Sequence, residues 1–309
     1  MIGTIRSVPD PAAIVQEVRH RYGLDLERGT LLRSLANDVY LVHGPDGRYA
    51  AKVYRTGTDR ERLRWEDELA RHAVRHGVPV PTARPTTGGE PVLTLEAPEG
   101  PRHVVVLEWV EGTKPAPPFG EDLYRELGDL LARFHAAADT FAPSASRPVE
   151  DVDTLVGAAV ARVADVLNGP DRALVEDLGA RATAALRRRR PSDLGVCHGD
   201  VTLDNVLVTD AGLSLHDFDL AGVRWRVSDL TGVAGTEHLG AFLTGYREVR
   251  PLPEDDLTSL GWLRAAASLQ NLGFHLVDKP AVQGSDSIGE GWADRELETL
   301  RELSRVLEA

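Results

Sequence analysis

The chain has 309 residues, 42% of them hydrophobic and 27% charged, a balance that describes a soluble globular protein long enough for two domains and excludes a disordered or fibrous one. Its 48 acidic and 35 basic residues leave a formal net charge of −13, which argues against nucleic acid as a partner. The acidity suits a cationic small molecule, although solubility alone accounts for it.

A single cysteine, Cys197, excludes an internal disulfide and a cysteine-rich metal centre. No apolar run approaches the roughly 20 residues of a membrane span, so no membrane association is expected. The N-terminal MIGTIRSVPDPAAIVQEVRH lacks the basic-then-apolar pattern of an export signal, so the expected location is the cytoplasm.

The first third reads as strand-rich with one helix. LLRSLANDVYLVHG and GRYAAKVYR are apolar runs joined at Gly44–Pro45–Asp46–Gly47, a hairpin signal. ERLRWEDELARHAVRHG follows as a charged helix stopped by Gly77, and EPVLTLEAPEGPRHVVVLEWVEG reads as two more strands around a Pro/Gly turn. From Gly112 the composition changes. GTKPAPPFG is a linker, and EDLYRELGDLLARFHAAA places Leu123, Leu127, Leu130, Leu131 and Phe134 at helical spacing. Further helices are predicted through VDTLVGAAVARVADVL and DRALVEDLGARATAALRRRR. Arg187 to Arg190 end the latter, where they oppose the helix dipole and read as a solvated terminus. The expectation is an α+β chain with two lobes, a small antiparallel-sheet N-lobe over residues 1–111 and a larger, mostly helical C-lobe over 112–309.

Inside the helical part lies CHGDVTLDNVLVTDAGLSLHDFDLAG, two short apolar strands around a polar knot. Asp200 and Asn205 flank its loop and Asp217 ends the return strand. Carboxylate and amide oxygens suit Mg²⁺, a hard cation that shares its shell with substrate phosphates. With a further carboxylate to orient a hydroxyl and a lysine on a strand elsewhere, these are the parts of a phosphoryl-transfer site. Lys52, between apolar neighbours in YAAKVYR, is that lysine. Partly withdrawn from water, it needs an anionic partner. Glu66 or Glu68 on the following helix can supply it, with the α- and β-phosphates of a nucleotide as the shared target.

HGDVTLDN resembles the H-G-D-x-x-x-x-N loop of the aminoglycoside phosphotransferase and kinase-like superfamily, near its homoserine-kinase and stress-response-kinase branches. DFDLAGVRWRVSDL is similar to that family's D-F-D segment and the Asp-Leu after it, FLTGYREVRPL to its G-Y-x-x-x-R-P-L element, and VVVLEWVEG to its hinge strand. The resemblance covers roughly Leu31 to Leu252 and implies a two-lobed, protein-kinase-like fold. It implies Asp200 as catalytic base, Asn205 and Asp217 as Mg²⁺ ligands, and Lys52 paired with Glu66 on the phosphates of ATP or GTP. The main chain from Glu108 to Val110 would hold the nucleobase, and His198 and Asp229 would brace the loop. One departure stands out. No glycine-rich loop precedes Lys52, so phosphate contact there would fall to backbone N–H groups and to Ser34, Asn37 or Asp38.

The expected activity is a kinase acting on a hydroxyl of a small molecule such as an antibiotic, another natural product or an amino alcohol. Two rivals use the same residues: a Ser/Thr kinase of a protein or peptide, and a nucleotide-binding pseudokinase that serves as a partner subunit. Joint retention of Asp200, Asn205, Asp217 and Lys52 argues against the last. Blander readings attach to other residues. Asp219 reads as a turn residue, His135 and Cys197 as packed core, and Trp225, Tyr246, Trp262 and Trp292 as core aromatics more readily than an acceptor pocket.

Overall fold

An Asp–Pro pair starts the first helix of the chain in the computed structural model, which describes residues 3–307. Asp10 accepts from the Ala12 N–H as N-cap, Pro11 takes the first helical position, and Gly23 closes the helix at φ 64°. This helix α1 (Pro11–Tyr22) is a second helix where the sequence predicted one. Its buried stripe of Ile14, Val15, Val18 and Tyr22 falls at helical spacing with Gln16 and Arg19 exposed on the other face, and Asp10–Pro11 and Gly23 punctuate its two ends.

The chain divides into two compact units. The first comprises residues up to Thr113, with Phe141–Ala145 and Thr209–His216; the second is Lys114–Thr140, Ser146–Val208 and the residues from Asp217 onward. Met1, Ile2, Glu308 and Ala309, which the expected lobe spans include, lie outside the described residues.

The first unit holds an antiparallel sheet of β1 (Arg28–Ser34), β2 (Asp38–Gly44), β3 (Gly47–Val53), β4 (Leu93–Ala97) and β5 (Gly100–Glu108) in the order β1-β2-β3-β5-β4. The LLRSLANDVYLVHG run is therefore two strands, broken at Leu35–Ala36–Asn37, where the Leu35 N–H returns to the Asn37 carbonyl at 3.2 Å. Tyr40, Val42, Tyr49 and Ala51 point from the sheet into the core that α1 covers. Helix α2 (Arg60–Arg75) is capped by Asp59 and buries Leu63, Trp65, Leu69 and Ala73.

The second unit is helical: α3 (Glu121–Ala138), α4 (Ala158–Ala164), α5 (Gly169–Arg189), α6 (Leu239–Val249), α7 (Glu254–Leu257), α8 (Leu260–Gly273), α9 (Lys279–Gln283) and α10 (Trp292–Val306). Single π-turns at Asp153–Gly157 and Phe274–Asp278 precede α4 and α9. Leu127, Leu130, Leu131 and Phe134 of α3 are buried with Phe242 and Tyr246 of α6 and Trp262 of α8, whereas Trp292 is 46% exposed. Helices α3 and α6 approach so closely that a Cβ on Gly128 would lie 2.1 Å from the Phe242 carbonyl oxygen.

Short strands interrupt the helices. β6 (Leu194–Cys197) pairs antiparallel with β9 (Gly222–Trp225), a strand the sequence did not signal. β7 (Val206–Thr209) and β8 (Gly212–Leu215) form the predicted hairpin. Asp217 stands beyond the end of β8, in a left-handed conformation that opens a 3-10 turn at Phe218–Leu220. That turn contains Asp219. Among the described residues no helix is long and apolar enough to cross a membrane.

Candidate active site

Strand β6 delivers the buried pair Cys197 and His198 to the start of the polar loop. Gly199 follows at φ 87°, where a Cβ would lie 2.1 Å from the Leu220 carbonyl oxygen, so this turn admits only glycine. Asp229, in the 3-10 turn Arg226–Leu230, clamps the loop from below. Its two carboxylate oxygens accept the His198 and Gly199 N–H groups, each at 2.7 Å. The carboxylate stays ionised. Burial alone would raise its pKa, but the hydrogen bond from His135 and the nearby Arg224 guanidinium oppose that, and the pKa lies below the ordinary range.

His135, at the end of α3, bonds Asp229 through Nε2 at 3.0 Å and the Tyr246 hydroxyl through Nδ1 at 2.7 Å. Both ring nitrogens are thus engaged, and burial lowers the imidazole pKa so that it is neutral. His135, Cys197 and Asp229 lie close enough together for a small metal site. The donor set does not suit one, because the ring nitrogens and both Asp229 oxygens already have protein partners, and burial drives the Cys197 thiol pKa well up. Phe218 packs against His198 at 4.9 Å between ring centroids and against Phe134 at 5.7 Å. In this way Tyr246, His135, Asp229 and Phe218 fix the main chain just before Asp200.

The Asp200 N–H donates to His198 Nδ1 at 3.3 Å. Its carboxylate accepts from Asn205 Nδ2 at 2.7 Å, and the same amide group reaches the Asp200 carbonyl at 2.9 Å. With Nδ2 committed to Asp200, Oδ1 is the atom that the buried Asn205 amide can offer to a cation. The Asp200 pKa is raised, chiefly by burial, with the Asp217 charge adding to the rise. Asp217 therefore stands near enough for its charge to be felt at Asp200. An amide oxygen and a carboxylate beside a second carboxylate fit a hard divalent cation such as Mg²⁺.

Further groups support this loop through pairings that the sequence did not signal. Lys114, in the linker before α3, donates to the Asp204 carbonyl. Arg226 and Arg250 are both paired with Asp139 and Asp193, fastening the end of α3, the entry to β6 and the end of α6. The R-P-L part of FLTGYREVRPL thus has a structural use. Its glycine has another, since a Cβ on Gly245 would lie 1.9 Å from the Arg125 carbonyl oxygen of α3.

In the first unit, Lys52 is buried on β3 between Val39 and Val105, with its ammonium 5.1 Å from the Tyr54 ring centroid. Glu66 is buried on α2 and accepts from Arg62 Nε at 2.8 Å. Glu68 is occupied elsewhere, its oxygens accepting the Ser144 N–H at 2.9 Å and the Ser144 hydroxyl at 2.5 Å. Ser34 donates to Asp38 at 2.7 Å and accepts from Arg6 at 2.7 Å, while Asp38 is fully buried and paired with Arg102 at 2.7 Å. Asn37 accepts the Arg55 N–H at 3.1 Å. The three phosphate-contact candidates therefore belong to a network that braces the β1–β2 turn. Glu108 ends β5 with its N–H on the Thr82 carbonyl at 3.0 Å and its carboxylate 3.2 Å from Arg84; Val110 follows two residues later, half-buried.

Comparison with known proteins agrees with this architecture. Residues 29–263 match the phosphotransferase enzyme family. An uncharacterized protein of Deinococcus radiodurans is 32% identical, over 96% of this chain and 91% of its own length. A homoserine kinase of Rhodospirillum rubrum is 27% identical, over 83% of each. Among solved structures, a microcompartment-associated aminopropanol kinase superposes with a TM-score of 0.73 at 25% identity, covering 95% of this chain and 98% of that one. The amicoumacin kinase hAmiN, solved with AMP-PNP, Ca²⁺ and Ami, superposes with a TM-score of 0.77 at 18% identity, covering 95% and 94%. The kinase-like fold, the clamped H-G-D-x-x-x-x-N loop and a match across most of the length make this chain a member of the phosphotransferase enzyme family, an enzyme that transfers a phosphoryl group to a hydroxyl.

Proposed function

We propose that the chain is a Mg²⁺-dependent kinase that moves the γ-phosphate of ATP, or of GTP, to a hydroxyl of a small cytoplasmic molecule such as an amino alcohol, an antibiotic or another natural product. One observation carries the assignment: the Asp200 carboxylate is fixed by the Asn205 amide on a loop whose preceding main chain is clamped by Asp229. A base held this rigidly orients an acceptor hydroxyl for in-line attack and takes its proton as the O–P bond forms.

Asn205 and Asp217 would hold the cation, which when bound neutralises charge on the transferred phosphoryl group. Lys52 would contact the α- and β-phosphates, with Glu66 as its partner because Glu68 is committed to Ser144. The main chain from Glu108 to Val110 would receive the nucleobase. Supporting a small acceptor are the names of the relatives, which include homoserine kinases and an aminopropanol kinase.

The test is an ADP- or GDP-release screen over amino alcohols, hydroxy amino acids, aminoglycosides, nucleosides and Ser/Thr peptides, with Asp200→Ala as control. Turnover of a small molecule above that control supports the assignment. Turnover of peptides alone would replace it with a protein kinase, and none on any acceptor with a pseudokinase.

A further inference from the structure

Arg264 lies on α8 with most of its surface covered, yet among the described residues it has no ion-pair or hydrogen-bond partner. Other sheltered arginines of the same unit are matched: Arg224 with Glu150 at 2.9 Å, Arg226 with Asp139 at 2.7 Å and Asp193 at 2.9 Å, and Arg250 with Asp139 and Asp193. Glu296 of α10 is near enough for Arg264 to influence its charge, but its carboxylate is taken by Ser268 and by Asn271, the latter at 3.2 Å. A partly exposed guanidinium with no close ion-pair partner keeps its donors available to an anionic ligand.

Its position links it to the catalytic loop. The guanidinium lies directly against Gly235, where a Cβ would be 2.4 Å from Nη2 and 2.6 Å from Cζ. Gly232, in the same segment, abuts the loop itself: a Cβ there would be 2.3 Å from the Val201 carbonyl oxygen and 3.3 Å from the Thr202 methyl group. Both glycines are exposed, so a small molecule can reach this surface. Three residues of chain, roughly 11 Å at full extension, are the most that can separate the glycine against Val201 from the one that seats the guanidinium. Arg264 presents a planar fork of donors that matches a carboxylate two-pronged.

We propose that Arg264, seated on Gly235, is the acceptor's anion anchor, and that the acceptor is a small hydroxy acid or hydroxy amino acid whose carboxylate it binds while the hydroxyl faces Asp200. This rests on the kinase assignment of the Asp200 loop and narrows its substrate class from small hydroxyl compounds in general to those with a carboxylate.

The test measures kcat/KM for L-homoserine, L-serine, L-threonine and 3-hydroxybutyrate, each against its uncharged carboxamide, in the full-length enzyme with ATP and Mg²⁺. The expected result is a preference for at least one acid over its amide of about 30-fold or more, the worth of a charge-assisted pair. Arg264→Gln should collapse that ratio towards one through a rise in the KM of the acid. Gly235→Ala, which leaves the arginine in place but fills its seat, should shift the ratio the same way. Equal use of acid and amide by the wild type overturns the proposal, as does a screen in which only compounds without a carboxylate are phosphorylated. A rise in the KM of ATP in place of that of the acid would assign Arg264 to the nucleotide and also overturn it. ADP release equal to that of Asp200→Ala with every hydroxyl compound would instead overturn the kinase assignment beneath it.

Discussion

Asn205 holds Asp200 twice, through a 2.7 Å hydrogen bond to the carboxylate and a 2.9 Å bond to the carbonyl, both from the one Nδ2. If Asp200 is the base and Asn205 a ligand of the cation, as proposed, the side chain that fixes the base would also offer an oxygen to the cation, and orientation of the base and loading of the metal would be coupled. Asp200→Ala should lower kcat by about 10² to 10⁴ with little change in Mg²⁺–nucleotide affinity. Asn205→Ala should lower kcat and raise the Mg²⁺ concentration needed for half-maximal rate. Steady-state ADP release over a Mg²⁺ titration separates the two. Full activity of Asp200→Ala would remove that residue from the chemistry.

Asp217 sits at φ 70° and ψ 75°, a region that Asp and Asn tolerate better than other side chains with a Cβ. Asp217→Asn should keep the backbone and the melting temperature while losing metal-dependent nucleotide binding. Asp217→Ala should lose the binding and add a strain of about 1 kcal/mol. Calorimetric nucleotide titration with and without Mg²⁺ reads the first effect and thermal unfolding the second. Unaltered nucleotide affinity in Asp217→Asn would rule the residue out as a ligand.

The two glutamates of α2 should behave differently. Glu66→Gln should raise the KM of ATP by about tenfold or more, since the amide keeps the hydrogen bond but loses the charge that a charge-assisted pair adds. Glu68→Gln should leave the KM of ATP near the wild-type value, because its carboxylate bonds Ser144. The reverse ranking would make Glu68 the partner of Lys52.

His135 makes the fold sensitive to pH. Burial holds its imidazole neutral, with a pKa below the ordinary histidine value. The unfolded chain takes up that proton near pH ~6.5, before the folded one does. The unfolded state therefore binds more protons as pH falls past that point, and stability declines by up to about 1.4 kcal/mol per pH unit. Urea midpoints at pH 8 and pH 5.5 should show the decline, and His135→Gln, less stable at pH 8, should show a smaller one. An equal slope in that variant would place the titration elsewhere.

The α3–α6 contact depends on two glycines. A methyl group on Gly128 would stand 2.1 Å from the Phe242 carbonyl oxygen, and one on Gly245 would stand 1.9 Å from that of Arg125. Each Gly→Ala change should cost about 1–3 kcal/mol by overpacking, outweighing the gain in helix propensity. Because α3 carries His135 and α6 carries Tyr246, activity should fall together with the melting temperature. An unchanged melting temperature in both variants would show that the helices can separate at no cost.

Most of the lobed plan was open to reading from the chain. The strands around Lys52 alternate or run apolar, α2 and α3 carry plain helical stripes, and the polar loop is local, so Asp200 and Asn205 come with their spacing attached. Helix α1 was not read, although Ile14, Val15, Val18 and Tyr22 keep helical spacing between Asp10–Pro11 and Gly23, because the stripe is only four residues long. Strand β9 was not read either. Four residues pair with β6 across the chain, and neither strand has a pattern of its own.

What the sequence determined by itself was the reaction, since the polar loop between strands and the D-F-D segment hold their chemistry within short, locally constrained spacings. Tertiary structure decided what surrounds them. Asp229 meets the loop from 30 residues away, His135 and Tyr246 reach it from two different helices, Ser34 and Asp38 turn into an ion network with Arg6 and Arg102, and Arg264 comes to rest on Gly235. None of these pairings has a sequence period. They follow from which faces the helices and strands must bury, and burial is a property of the folded whole.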